Sequence, residues 1–155
     1  MQQQPVKTEI EQAVTRGTVY VYTVEGSTVD TAAQHLTITA PSGLNVGQRA
    51  RVYCRVYGGA AGCQAKVNTG VTASGGSTVT GRCLNGNTAV GTAPSVSSNA
   101  TISGAGTTVL TEGVGPGSVD LPPFELAAGA KAAFQAVNNS GGTTRCSVRL
   151  LVELV

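Results

Sequence analysis

The sequence predicts an all-β fold, an antiparallel β-sandwich preceded by a short N-terminal arm. Three observations predict it. Val, Thr and Gly take 21, 20 and 21 of the 155 positions; Val and Thr suit a pleated, half-buried surface and Gly suits turns. Apolar residues alternate with a period of two in several segments from Thr18 onward. Only 12% of residues are charged, against about 25% in ordinary soluble domains, too few for long solvated helices or a polyelectrolyte tail. With net charge +2 and abundant Val, Leu and Ile, a disordered chain is not expected. A chain of this length buries roughly 68–70% of its unfolded surface and sustains one core without staples.

The elements follow in order. Residues 1–16 form the arm: Thr8 and Glu11 fit a capping box, and a helix of under three turns through Thr15 would end at Gly17. Such a helix is marginal alone; the arm either frays or orders on a neighbouring subunit. Residues 17–155 form the sandwich. Thr18–Val24 reads as the first strand, ended by Glu25-Gly26-Ser27, and His35–Ala40 as the second, ended by Pro41-Ser42-Gly43. Gln48–Tyr57 alternates most cleanly: Ala50, Val52, Cys54 and Val56 share one face, and Arg49, Arg51, Tyr53, Arg55 and Tyr57 the other. Residues 58–118 are rich in Gly, Ser, Thr and Ala and read as short strands (Gln64–Asn68, Ser77–Gly81, Ala100–Ile102, Thr107–Leu110) between long surface loops. Phe124-Glu125-Leu126 returns to the core. Lys131–Val137 and Thr143–Leu154 read as two strands joined by Asn138-Asn139-Ser140-Gly141-Gly142, a hairpin signal. In the last strand Cys146, Val148, Leu150, Val152 and Leu154 oppose Arg145, Ser147, Arg149, Leu151 and Glu153.

Little catalytic chemistry is available, and no enzyme activity or cofactor is expected. The sole histidine, His35, sits opposite Leu36 and Ile38 in parity and is expected to face solvent. Asp30 and Asp120 are the only aspartates, and neither lies in a nucleophile–base–acid motif. No carboxylate spacing singles out a glycosidase pair, and the glycine-rich stretch contains no phosphate-binding loop. The start Met1-Gln2-Gln3-Gln4-Pro5-Val6-Lys7 has no apolar run of the secretory kind, which predicts synthesis without export by that route. The sequons at Asn99 and Asn138 then read as chance matches. No apolar run approaches the ~20 residues of a membrane span, and no basic run predicts nucleic-acid binding.

The cysteines at 54, 63, 83 and 146 lack the paired spacing of zinc ligands, leaving thiols or disulfides. Cys54 and Cys146 fall on apolar faces and read as buried small hydrophobes; a bridge between them requires neighbouring strands with Cα atoms within about 7 Å. Cys63 and Cys83 lie in turn-rich segments, where exposure and pairing within or between subunits are expected. The most distinctive constellation is Arg49, Arg51, Tyr53, Arg55 and Tyr57, about 27 Å of one strand face at ~3.3 Å per residue. Arg and Tyr are enriched where proteins bind proteins, so this stripe is the candidate interface, with Arg51→Glu expected to weaken assembly and spare the fold.

Several segments carry a resemblance. They are Gly75-Gly76-Ser77-Thr78-Val79-Thr80-Gly81, then Cys83-Leu84-Asn85, then Gly104-Ala105-Gly106-Thr107-Thr108-Val109-Leu110, and the tail Phe124-Glu125-Leu126-Ala127-Ala128-Gly129 with Phe134-Gln135-Ala136-Val137-Asn138-Asn139 and the closing apolar strand. Together, over about half the chain, they resemble small β-sandwich structural proteins of tailed bacteriophages. Cys83-Leu84-Asn85 stands where Asn-Leu-Asn is common in that family, and Ala127-Ala128-Gly129 where a Pro-Gly turn is common. The resemblance implies a jelly-roll-like sandwich and a capsid decoration (cement) protein, usually a homotrimer. Such a protein binds the major capsid protein on the outside of the head, so its location would be the virion. Low charge suits extensive burial in contacts, because interface cores are depleted in charge. A tail-fibre or receptor-binding module and a bacterial surface carbohydrate-binding domain are the alternatives. Residues 58–118 lack aromatic side chains for sugar stacking, and a surface domain would need an export signal.

Overall fold

The computed structural model describes residues 19–59, 62–84 and 93–155. The arm expected over 1–16, with its capping box, lies outside the described residues. The described chain is all-β, with no helix. Its strands are β1 (Val19–Thr28), β2 (Ala33–Thr39), β3 (Ala50–Gly58), β4 (Cys63–Thr69), β5 (Thr72–Ser74), β6 (Ser77–Thr78), β7 (Arg82–Cys83), β8 (Ser95–Ser98), β9 (Thr101–Gly104), β10 (Thr107–Val114), β11 (Gly117–Asp120), β12 (Phe124–Leu126), β13 (Lys131–Asn138) and β14 (Thr144–Leu154).

A first sheet runs β11-β3-β14-β1-β7, with β12 also on β3, and a second runs β10-β4-β13-β2-β8-β6. The pairings nest. β1 pairs with β14, β2 with β13, β3 with β11 and β12, and β4 with β10, all antiparallel. The chain is thus one long antiparallel ribbon rolled so that consecutive long strands alternate between sheets, which is the jelly-roll arrangement. The tip of the ribbon, between β4 and β10, carries the two-stranded sheet β5-β9. This small sheet lies on the outer face of the second sheet. Ala73 and Ala100 stand beside Thr37 and Thr39 there, and Asn68 Nδ2 donates to Ala105 O at 2.8 Å. Outward-facing Ala133, Thr37 and Asn68 are consequently buried.

The alternating apolar positions meet between the sheets. Val52, Cys54 and Val56 of β3, Val148, Leu150 and Val152 of β14, and Tyr20 and Tyr22 of β1 pack against Leu36, Ile38, Ala65, Val67, Phe134 and Ala136 of the second sheet. Phe134 meets Phe124 edge-on, with ring centroids 5.7 Å apart, an arrangement favoured by the ring quadrupoles. Tyr22 keeps its buried hydroxyl satisfied by donating to Pro94 O at 3.2 Å.

Several sequence expectations are corrected. β1 continues to Thr28 because β14 is long enough to pair with it throughout, Thr28 opposite Thr144. Gly26 does not end the strand: the space its missing Cβ leaves holds the Gln34 amide, whose Nε2 lies 3.0 Å from where that atom would be. Residues 138–142 do not close a hairpin, since β13 pairs with β2 and β4 and β14 with β1 and β3. The segment is an arch between sheets. Asn138, fully buried, donates from Nδ2 to Thr28 O and to Gly142 O, both at 2.6 Å, and accepts from Ser140 N at 2.9 Å. Turn-forming residues favour a reversal but do not say whether the strands beyond it pair or stack. Within 58–118, β4 and β10 are full sheet members, paired from Thr107–Thr69 to Val114–Cys63 with a bulge between Thr108 and Leu110. His35 is half-buried, its Nε2 2.8 Å from Ala100 O.

Two substitutions test this architecture. Phe134→Ala empties a fully buried ring site and is expected to cost about 3–5 kcal/mol in denaturant titrations. Asn138→Ala leaves the carbonyls of Thr28 and Gly142 without that amide and is expected to cost about 1–3 kcal/mol, which would not follow if the arch were a solvated hairpin loop.

Candidate interface on the outer face of the first sheet

The outward parity of β3 places Arg51, Tyr53, Arg55 and Tyr57 on the outer face of the first sheet, as the alternation predicts. Arg49 stands just before the strand, where its backbone exchanges hydrogen bonds with Val155 at 2.7 and 2.9 Å. The register of neighbouring strands turns the stripe into rows across the sheet. Glu125, Arg51 and Glu153 form one row, and Tyr53, Leu151 and Val21 the next. Asp120, Arg55, Arg149 and Thr23 form the third, and Ser118, Tyr57, Ser147 and Glu25 the fourth.

The charges are mostly matched. Arg51 donates from Nε and Nη2 to Glu125 Oε1 at 3.2 and 3.0 Å. Arg55 grips Asp120 with two bonds, Nε to Oδ1 at 2.6 Å and Nη2 to Oδ2 at 3.0 Å. Arg145 reaches Glu25 at 3.1 Å. The Arg55 bond, ahead of the opposing desolvation, holds the Asp120 carboxyl below its ordinary value, and the Arg55 and Arg149 charges add to this. The exception is Arg149. It sits directly opposite Arg55 in the β3–β14 register, exposed, and among the described residues no ion pair of its own is formed. Like charges placed opposite one another in a sheet are destabilising.

Shallow grooves flank this arginine pair. One runs between Tyr53, Leu151 and the Asp120–Leu121 edge. The other is lined by Thr23, Glu25, Tyr57, Ser118 and Ser147. Tyr57 is 43% exposed. The face therefore offers aromatic and aliphatic patches around a cationic centre. Asp120, Glu125, Arg149 and Leu151 belong to it but were not singled out by the sequence reading. Arg149 and Leu151 carried a signal, the outward parity of the last strand; Asp120 and Glu125 carried none, because only pairing brings β11 and β12 against β3. The corresponding face of the second sheet is in part covered by β5 and β9.

The cysteine expectations are corrected here. No disulfide joins Cys54, Cys63, Cys83 or Cys146. Cys54 and Cys146 lie on adjacent strands, but Cys54 is opposite Leu150 and Cys146 opposite Gly58. That four-residue offset separates them by roughly 13 Å along the strands at ~3.3 Å per residue, beyond disulfide reach. Cys63 is not exposed: it opens β4 and is 3% accessible. Cys83 is half-buried opposite Tyr20, toward the other end of β1 from the Gly26 that faces Cys146. Burial pushes the thiols of Cys54 and Cys63 up, to about 12 and about 11.

Compared with family models, curated proteins and solved structures, the chain finds no match. Among the described residues, no cluster of three or more His, Cys, Asp or Glu is placed to hold a metal ion.

The Asp120–Arg55 pair predicts a pH signature. A carboxyl held below its unfolded value stabilises the fold above that unfolded value, and the contribution is lost as pH falls through the folded one. Carbon-detected NMR titration is expected to find Asp120 protonating below the ordinary aspartate range, and Arg55→Ala to return it there.

Proposed function

We propose that this chain is a structural virion protein that decorates the outer surface of a phage head, binding the capsid shell through the outer face of its first sheet and assembling as a homotrimer. The observation that carries the binding face is the Arg55–Arg149 juxtaposition. Folding alone favours separating two arginines placed opposite each other; a partner carboxylate seated on Arg149 would convert the repulsion into a bridge. Tyr53, Tyr57 and Leu151 around it supply the aromatic and aliphatic contact typical of interface centres. The jelly-roll order suits the phage resemblance, and the overlay of β5 and β9 leaves the first sheet as the broader open face among the described residues.

The first sheet also alters the choice of test. Arg51 is committed to Glu125 and neighbours buried Glu153, so Arg51→Glu would gather three acids and disturb folding along with binding. Arg149→Gln instead removes the repulsion with Arg55 without setting a further acid near Asp120, whose carboxyl the Arg149 charge helps to hold ionised. It is expected to leave Tm unchanged or higher while lowering binding to undecorated heads at least tenfold in a sedimentation assay. Electron cryomicroscopy of the particle that carries the chain is expected to place it at three-fold or quasi-three-fold points of the head. Density confined to the tail tip would instead favour the receptor-binding alternative.

A further inference from the structure

Cys63 and Cys146 come from opposite sheets and meet at one end of the sandwich. Gly58, the register partner of Cys146, makes room for them: a Cβ at Gly58 would lie 2.9 Å from the Cys63 sulfur. The Cys63 thiol therefore occupies the space above Gly58, on the inner face where Cys146 stands opposite that glycine, and burial first, then the neighbouring Cys146, push the Cys63 thiol up. Cys63 Sγ also lies 4.0 Å from Tyr57 O. Both strand ends are tied down: Cys63 is in register with Asn138, and Gly59 N donates to Arg145 O at 2.8 Å. Both side chains belong to the buried core between the sheets.

We propose that Cys63 and Cys146 form an inter-sheet dithiol that small peroxides oxidise to a disulfide, fastening the start of β4 in the second sheet to β14 in the first. Cys63 reacts first, because it is 3% accessible against 0% for Cys146 and adjoins the partly exposed Gly62. Its thiolate attacks one oxygen of hydrogen peroxide, hydroxide leaves, and a sulfenic acid remains. The Cys146 sulfur then attacks the Cys63 sulfur, and the hydroxyl departs as water. Two thiols and one peroxide give one S–S bond and two waters. Burial keeps thiolate scarce at neutral pH, so the pair is slow to react and persists as thiols in a reducing compartment. The bond closes a loop of roughly 80 residues, the range in which crosslinks constrain the unfolded chain strongly. This inference is independent of the proposed function.

The test uses the reduced full-length protein treated with dilute hydrogen peroxide, followed by non-reducing peptide mapping and thermal unfolding. The expected result is loss of two hydrogens mapped to a Cys63–Cys146 linkage, formed in the monomer. The rate is expected to rise about tenfold per pH unit through the neutral and mildly alkaline range, with Tm raised by roughly 10 °C. A Cys54→Ala, Cys83→Ala double variant is expected to behave the same, and Cys146→Ala to stop at the sulfenic acid. Thiols that stay reduced after prolonged treatment, a linkage through Cys54 or Cys83, or an oxidised protein no more stable than the reduced one would overturn the proposal.

Discussion

The register of β14 is the constraint on which the rest of this molecule depends. It lies between β1 and β3, paired with both over almost its whole length. Its inner face carries Cys146, Val148, Leu150 and Val152, all fully buried. A slip of one residue would expose these and drive Arg145 and Arg149 into the core. Each apolar side chain is worth roughly 1.5–3 kcal/mol on burial, so such a slip forfeits an amount comparable to the entire stability of a domain. With β14 fixed, the pairings of β1 and β3 follow, and the nested ribbon has one way to close.

The same register creates the features of the outer face. It brings Arg149 opposite Arg55 and lines up Ser147 with Tyr57 and Glu25. The acids that match the stripe come from the short strands β11 and β12, which flank β3 at the sheet edge. Exposed ion pairs of this kind contribute little to stability, so the rows are better read as a pattern for recognition than as a brace for the fold. The two outer faces are also unequal. The tip of the ribbon folds back on the second sheet and buries Ala133, Thr37 and Asn68 there, leaving the first sheet as the one that presents its side-chain rows.

Parity was legible in the sequence wherever a strand was half-buried. Gln48–Tyr57 and Thr143–Val152 assign their two faces by parity, because alternation reports a single apolar face directly; Glu153, on the outward parity, is nevertheless buried. The glycine-rich region was harder. β4 and β10 lack strong alternation in their flanks, and β10 carries a bulge at Val109 that breaks the period. Cys63 looked exposed because it lies in a turn-rich segment, yet the space left at Gly58 receives its sulfur within the core.

By itself, then, the sequence determined the class of the fold and the two faces of its main strands, because composition and a period of two depend only on residues near one another in the chain. The tertiary structure decided which strands are neighbours. It made residues 138–142 an arch and not a hairpin, set Cys54 out of reach of Cys146, brought Cys63 to Cys146, and opposed two arginines on one face. Those outcomes rest on contacts between segments up to the full length of the chain apart, where pairing follows from burying both sheets at once and no local pattern records it.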